Sequence, residues 1–297
     1  MARILVTGGS GFIGTNLVEH YRTRGHHVIN LDIVPPRNSD HGALWRRIDL
    51  LDRAALMSAV TDADPEIAFH MAARTDLHGK VIEDYPANIE GVANLIQALR
   101  GVRVLRLAVF ASSMLVCRIG YRPTGELDYC PSTAYGESKV RGEQLVRKEA
   151  AGMLRWVIVR PTSIWGPWFS SPYRDFFTAV QRGLYFHPRS YRIRRSYGFV
   201  LNNVMQLDRL AAAEGGALVG HAVYLADYEP IDLKQWADTI QRAFGVPPVR
   251  EAPVTLFRVA AKVGDVLQGF GYKSPPMSSI DQMRSKYQVP AFRHPGD

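Results

Sequence analysis

The sequence is poor in cysteine. Cys117 and Cys130 are the two in 297 residues, too few for a disulfide framework, and no Cys-x-x-Cys or similar metal spacing occurs. A structural or catalytic metal site is therefore not expected, and a reducing, cytoplasmic compartment is the natural one. The chain also lacks any run of 18 uninterrupted apolar residues, so no segment is expected to span a membrane. The apolar stretch after Met1-Ala2-Arg3 is too short for a signal peptide. Internal repeats and low-complexity tracts are missing as well. What remains is 46% apolar and 22% charged, the balance of an ordinary globular protein. Its length fits one large or two modest domains.

The formal charge of +8 suggests an anionic partner without naming it. Arg182, Arg189, Arg192, Arg194 and Arg195 fall within fourteen residues, interleaved with Tyr185, Phe186, His187 and Tyr191. Nucleic acid, a membrane surface, a phosphorylated small molecule or a plain solvated face would each fit. No recognised nucleic-acid fold accompanies the cluster, and no nucleic-acid partner is expected.

Over the first 160 residues, short apolar runs alternate with helical spacing. ARILVTG, HHVINLD, PEIAFHMAA, RVLRLAVFASS and LRWVIVRP read as strands; residues 12–24, 87–100 and 133–151 read as helices. Alternation of this kind predicts an α/β fold, a doubly wound parallel sheet with both faces covered. Beyond Arg160 the texture becomes aromatic and turn-rich. Helices are expected at 175–183, 204–214 and 232–244, a strand at HAVYLAD, and an amphipathic helix at 255–270 that packs on the core or, as a minority reading, docks elsewhere. The expected division is residues 1–165 as a cofactor-binding domain carrying the catalytic helix, and 166–297 as mainly substrate-binding, some elements returning to the first domain.

TGGSGFIG, residues 7–14, follows the first strand and opens a helix. Gly8 allows a tight turn, Gly11 lets a pyrophosphate approach the backbone, and Gly14 lets helix and strand pack closely. The helix start presents free N–H groups and a positive dipole end to the phosphates. Asp32 lies 18 residues past Gly14, where a carboxylate accepts the ribose hydroxyls and repels a 2′-phosphate. This favours NAD over NADP, with Arg37 close by as the argument for the second. Asp49 and Leu50 follow the third strand, where an adenine edge would fall.

Tyr135 and Lys139 stand at i and i+4, on one helical face. A free tyrosine titrates near ~10; a neighbouring ammonium and an oxidised nicotinamide are both expected to lower that value and make a general acid/base useful near neutral pH. Ser112 and Ser113 end the preceding strand, at the edge where open α/β sheets bind ligands.

Taken together, TGGSGFIG, Asp32, Asp49-Leu50, His70-Met-Ala-Ala73, Asn88-x-x-Gly91-x-x-Asn94, FASSMLV, Tyr135-x-x-x-Lys139 with Glu143, and Arg160-Pro161 through Trp165-Gly166-Pro167 resemble the extended short-chain dehydrogenase/reductases, in particular the NAD-dependent sugar-nucleotide epimerase/dehydratase family. The motifs run in family order and cover residues 1–170. The resemblance implies a Rossmann-type domain with a smaller C-terminal substrate region. It implies Tyr135 as acid/base, Lys139 as a ribose ligand, and Ser113, three residues before Val116, as the hydrogen-bonding serine. Gly8, Gly11, Phe12, Ile13, Gly14, Asp32, Asp49, Leu50, Ala72, Ala73, Arg74, Tyr135, Lys139, Pro161 and Ser163 would hold the cofactor; Ser113, Ser163 and Arg195 would hold the substrate. Asn88 would be structural, behind the catalytic helix. A homodimer through helices 87–100 and 133–151 is implied too.

Departures narrow the chemistry. Dehydratases of this branch carry acids directly after the serine or threonine; here Met114 and Leu115 stand there, so elimination is not expected. The 3,5-epimerase/reductases place a cysteine at the Leu115 position; Cys117 is two residues beyond and reads as a small buried apolar residue. Arg195 matches the family's diphosphate-binding arginine in spacing, but Asn202 and Asn203 stand where two acids are usual, and Ser163 where an asparagine is common. The leading expectation is a 4-epimerase or C4 oxidoreductase acting on a nucleotide-diphosphate sugar. The C-terminal texture is similar to 3β-hydroxysteroid dehydrogenase-like relatives, with Trp156, Trp165, Trp168, Phe169, Tyr173, Phe176 and Phe177 available as an apolar wall. A keto-sugar reductase and a non-catalytic dinucleotide sensor complete the alternatives.

Overall fold

The computed structural model describes residues 1–169, 173–227 and 229–257. The helix expected at 255–270 falls almost entirely outside the described residues, as does the Pro-punctuated stretch after it. The chain divides into two compact units. One comprises residues 1–168 and 198–227; the other comprises residues 169–197 and those from 228 onward.

In chain order the first unit runs β1 (Arg3–Thr7), α1 (Phe12–Thr23), β2 (His27–Asp32), β3 (Trp45–Arg47), α2 (Arg53–Ala63), β4 (Ile67–His70), α3 (Pro86–Leu99), β5 (Leu107–Ala111), α4 (Ala134–Leu145) and β6 (Trp156–Pro161). After the second unit's first segment, a helix at Val200–Ala212 and a strand at Ala222–Leu225 return to it. The sheet has seven strands in the order β3-β2-β1-β4-β5-β6, then Ala222–Leu225, and every pairing is parallel. This is the doubly wound order with one strand added.

The near-continuous apolar strands follow from two covered faces. Leu5, Ile29, Leu31, Ala68, Ala108, Phe110 and Ile158 face Leu56 and Val60 of α2 and Leu95, Ile96 and Leu99 of α3. Their strand neighbours Ile4, Val6, Val28, Phe69, Val109 and Val157 face Leu17, Val18 and Tyr21 of α1 and Val204 and Leu207 of the returning helix. The two-residue period of a strand sorts side chains to opposite faces, and burial of each leucine contributes about 1.5–3 kcal/mol.

Sequence periodicity gave no expectation for α2. Its N-cap is a clear local signal, since the Asp52 side chain accepts from the Ala55 amide at 3.0 Å. The helix expected across 133–151 is α-helical only to Leu145 and continues as a π-turn at Val146–Ala150. Both Val146 and Ala150 are buried, so the apolar pattern that suggested one helix belongs to two kinds of turn.

The second unit holds α5 (Tyr173–Gln181) and, after the returning elements, a helix at Leu233–Phe244. That later helix is capped by Asp232 at its start and by left-handed Gly245 at its end. Trp236 is buried among Tyr173, Phe176, Phe177 and Tyr197, with centroids 4.8–6.2 Å away. Of the aromatic residues expected as a substrate wall, Tyr173, Phe176 and Phe177 are this unit's own packing around Trp236. Arg194–Arg195 forms a short antiparallel pair with Ile231–Asp232.

Candidate functional site

In the first unit β1 and β4 are neighbours although β2 and β3 lie between them in sequence. The chain thus leaves β1 in one direction and returns to the other side, and the crevice beyond the carboxyl ends of β1 and β4 is where such sheets bind ligands. Three loops reach it: residues 8–11 after β1, 71–74 after β4 and 112–116 after β5.

The first loop is shaped by two glycines. Gly8 has φ +75°, and a Cβ there would strike the backbone of Met71 and Ala72. Gly14 sits beneath the Gly8 carbonyl, where a side chain would not fit. The Gly8 amide donates to the Leu31 carbonyl at 2.8 Å and the Gly11 amide to the Gly8 carbonyl at 2.9 Å, which folds the turn against β2. Gly11 is the N-cap of α1 without a side-chain cap, and no acid occupies the first turn. Phe12 and Ile13 are half-buried on that turn. The free helix start suits a pyrophosphate.

Asp32 ends β2 and accepts from the Ser10 amide at 3.1 Å and from the Val34 amide at 3.2 Å. Burial raises its pKa, against those backbone donors and Arg37. Arg37 donates to the carbonyls of Ser10, at 3.1 Å, and Trp168, at 2.6 Å. Its guanidinium is held by backbone rather than standing free for a 2′-phosphate. This strengthens the NAD assignment made from Asp32.

Asp49 accepts from the Leu51 amide at 2.9 Å, closing its own turn, and buried Leu50 offers its carbonyl to Asn94 at 2.9 Å. Ala72 and Ala73 line the loop after β4. The Arg74 side chain stays within that loop, on Asp76 at 2.8 Å and over the Tyr85 ring at 5.0 Å. Asn88, 1% exposed, fastens it from behind: its side chain accepts from the Arg74 amide at 2.9 Å and donates to the Arg74 carbonyl and to Ser138 Oγ. Ser138 in turn donates to the Tyr135 carbonyl at 2.7 Å. This connection from the β4 loop to α4 runs through Ser138, a residue the sequence did not single out.

Tyr135 and Lys139 lie buried on α4, whose N-cap Thr133 accepts from the Gly136 amide at 3.0 Å. Burial pushes the Tyr135 phenol up to about 12, opposed by a hydrogen bond with Ser113. Burial also pulls Lys139 down to about 8, opposed by Glu143. Here the structure corrects an expectation. Lys139 does not lower the Tyr135 pKa in the chain itself, because its ammonium donates to the Ala111 carbonyl at 3.0 Å and desolvation of the phenol dominates.

Ser113 caps the turn Met114–Val116, its Oγ accepting from the Leu115 amide at 3.1 Å. That leaves its hydroxyl proton free for the Tyr135 oxygen. Ser112 and His70 are buried alongside; His70 Nδ1 meets Thr7 Oγ1 at 2.7 Å, and burial holds its imidazole neutral, at about 3. Met114 and Leu115, both half-buried, follow the serine directly in that turn. Pro161 ends β6, and Ser163 begins a short strand just beyond.

Arg195 belongs to the second unit, where it hydrogen-bonds Tyr197. Asn202 donates to Asp227 at 2.8 Å, and fully buried Asn203 donates to Gln206 at 2.9 Å. Among the described residues no cluster of three or more potential metal ligands occurs, and no helix is long and apolar enough to cross a membrane.

The residues present fit a dinucleotide: a cradle that side chains would fill, a helix start without a side-chain cap, and a half-buried carboxylate at the end of the neighbouring strand. Known proteins agree. Residues 4–185 match the model of the NAD-dependent epimerase/dehydratase family. The chain is 32% identical over 266 residues to a 3β-hydroxysteroid dehydrogenase/Δ5→4-isomerase of Mycobacterium tuberculosis, covering 82% of this chain and 70% of that one. It is 28% identical to a 2-alkyl-3-oxoalkanoate reductase of Stenotrophomonas maltophilia, covering 90% and 82%. Its structure resembles a UDP-glucose 4-epimerase of Thermus thermophilus solved with NAD, with TM-score 0.66, 25% identity and coverage of 84% and 86%. The chain belongs to the NAD-dependent epimerase/dehydratase family, and it is an NAD-dependent enzyme of the extended short-chain dehydrogenase/reductase type.

Proposed function

We propose that this enzyme interconverts a secondary alcohol and a ketone on a largely apolar carbon skeleton, a fused ring system or a long alkyl chain. The observation that carries this is the Ser113–Tyr135 hydrogen bond followed directly by Met114 and Leu115. It provides one acid/base flanked by apolar surface, with no second proton carrier directly after Ser113. The relatives named as hydroxysteroid dehydrogenase and oxoalkanoate reductase support the same substrate class.

In the reducing direction Tyr135 donates its proton to the carbonyl oxygen, while the Ser113 hydroxyl polarises that oxygen by a second hydrogen bond. In the oxidising direction the same two groups take the hydroxyl proton. NAD, when bound, accepts or returns the hydride at the carbinol carbon. Lys139 would hold a ribose hydroxyl, Asp32 the other ribose, and the turn at residues 8–14 the phosphates. Because burial keeps the Tyr135 phenol protonated well above neutral pH, the chain is poised as an acid, and the oxidation rate is expected to climb with pH.

A second reading keeps the nucleotide-sugar 4-epimerase. Its support is the placement of Arg195 in sequence, seven residues before Asn202, within an arginine-rich run suited to a diphosphate. The Tyr197 bond to Arg195 and the two asparagines weigh against it. The deciding experiment supplies NAD with 3β-hydroxysteroids, 3-hydroxyalkanoates or UDP-sugars and follows NADH fluorescence. NADH accumulating with an apolar alcohol supports the first reading. An epimerised sugar without net NADH would overturn it. A homodimer through α3 and α4 in the cytoplasm is part of the proposal; sedimentation at working concentration tests the dimer.

A further inference from the structure

The two cysteines of this chain are bridge partners. Cys117 and Cys130 sit side by side in an isolated parallel β-bridge, where the Cys130 amide donates to the Val116 carbonyl at 3.0 Å and the Arg118 amide to the Cys130 carbonyl at 2.6 Å. Paired residues on neighbouring strands lie ~4.8 Å apart and present side chains to the same face, and disulfides form across Cα separations of about 4.4–6.8 Å. The sulfur of Cys117 feels both the Cys130 N–H and the Cys130 thiol, and it lies 3.3 Å from the Asp128 carbonyl. Both thiols are free in this structure. Cys117 is buried and Cys130 half-exposed, so an oxidant dissolved in water meets Cys130 first.

The bridge also has a telling location. Cys117 follows the turn that Ser113 caps, and its amide donates to the Met114 carbonyl at 3.1 Å. Cys130 lies three residues before Thr133, the N-cap of the helix carrying Tyr135. The pair therefore joins the segment that holds Ser113 to the segment that positions Tyr135.

We propose that Cys117 and Cys130 are a redox modification site, closing reversibly to an intrachain disulfide under a peroxide and thereby slowing catalysis. The Cys130 thiolate attacks a peroxide oxygen, breaking the O–O bond and giving a sulfenic acid and hydroxide, which takes up the proton that Cys130 lost to become water. The Cys117 sulfur then displaces the sulfenic hydroxyl, losing its own proton and releasing water. In sum two thiols and one hydrogen peroxide give one disulfide and two waters; a dithiol reverses the step by exchange. Closure draws the two Cβ atoms to about 3.8 Å, shorter than neighbouring strands offer unaided. The adjustment passes through Met114–Val116 to Ser113. A misplacement of order 1 Å at a reacting group costs up to ~100-fold in rate, and a loss of turnover of at least ~10-fold is expected here.

The test treats the full-length chain with hydrogen peroxide and then with dithiothreitol, alongside Cys130→Ser and Cys117→Ala. Thiol titration and non-reducing peptide mapping are expected to show both thiols lost to one intrachain crosslink. Alcohol oxidation should fall at least tenfold and return on reduction, while both variants keep basal turnover and resist peroxide. Thiols that stay free, or that cross-link between chains, overturn the proposal. So does a crosslink that leaves turnover unchanged, or inactivation that persists in Cys130→Ser. The effect on turnover rests on the catalytic reading of Ser113 and Tyr135, whereas the crosslink does not. If the reduced enzyme turns over no alcohol or ketone, that reading fails by itself. The proposal is then judged by amide exchange at Ser113–Leu115, which a closed disulfide must alter.

Discussion

Two cations are buried near α4, and the protein treats them in opposite ways. Arg160, 1% exposed, meets Glu143 through two hydrogen bonds at 2.7 and 2.8 Å. It also donates to the Glu126 carbonyl at 2.6 Å and lies over the rings of Tyr129 and Tyr224. Tyr129 donates to the same carboxylate at 2.9 Å. Every charge there is answered, and the Arg160 pKa is raised. Lys139, one helical turn before Glu143, donates to one backbone carbonyl, and the acid that acts on it is already committed to Arg160. Its pKa falls. A buried charge that serves architecture is paired; a buried charge that serves chemistry is left short of partners, so that a ligand can supply them. With the proposed catalytic roles of Tyr135 and Lys139, the two ends of α4 divide stability from function, and each is expected to break without the other.

The largest effect is expected at the functional end. Tyr135→Phe removes the proton carrier and keeps the ring, which packs against Tyr85 with centroids 6.0 Å apart. Turnover should drop by about 10²–10⁴, with NAD affinity and melting temperature nearly unchanged. Steady-state kinetics beside NAD titration checks this; a variant within tenfold of the parent would mean another group moves the proton.

The structural end should show the reverse. Glu143→Gln leaves Arg160 buried with a neutral partner, and breaking such a pair costs about 3–5 kcal/mol. Melting should fall by on the order of 10 °C, while the turnover of the molecules that remain folded keeps its pH dependence. If instead the fold is unharmed and the pH profile moves, the pair belongs to the catalytic machinery and the division drawn above is wrong.

That division was only half legible in the sequence. The turn at Gly8 and Gly14, the carboxylate at Asp32 and the Tyr135–Lys139 spacing are local patterns, readable because each needs a residue type at a fixed offset. The strand order follows from the alternation of apolar runs. Burial and partner choice are not local. Nothing in Tyr135-Gly-Glu-Ser-Lys139 tells that Lys139 faces the Ala111 carbonyl, 28 residues away in sequence but adjacent in space, so in the chain itself burial raises the Tyr135 pKa where a lowering was expected. Asp49, expected at an adenine edge, also closes its own turn, which its sequence position did not announce. Arg195 matched a diphosphate ligand by spacing and bonds Tyr197 within the second unit. There the strands are two or three residues long, too short for any period to declare itself.

A third variant bears on Lys139 alone. Lys139→Met removes the buried amine. The folded pKa of about 8 lies below the ordinary 10.5, so burial disfavours the charged form. Below pH 8 both the folded and unfolded chains carry the proton, and the full penalty is present. Between about 8 and 10.5 the folded amine sheds its proton first, and the penalty fades. The variant should therefore be more stable than the parent at pH 7, by about 2 kcal/mol once the lost bond to Ala111 is counted. That gap should narrow as pH rises to 10, while NAD binding and turnover both weaken. Thermal melts across that range decide it; a variant less stable at pH 7 would show that Lys139 is held favourably after all.

The smallest expected effect lies at the far side of the cofactor crevice, where Asp32 is half-buried and also shifted toward its neutral form. Unlike Lys139, it already accepts two backbone donors, from Ser10 and Val34, so less of its stabilisation waits for a ligand. Asp32→Ala should weaken NAD binding by roughly 10-fold, about the worth of one charge-assisted hydrogen bond, and narrow the preference over NADP. It should not reverse that preference, because Arg37 is engaged by the Ser10 and Trp168 carbonyls and is not free to meet a 2′-phosphate. Adding Arg37→Ala to that variant separates the two contributions. If the double variant loses NADP affinity that the single variant had gained, Arg37 does turn toward the phosphate, and its backbone bonds are weaker restraints than their geometry implies.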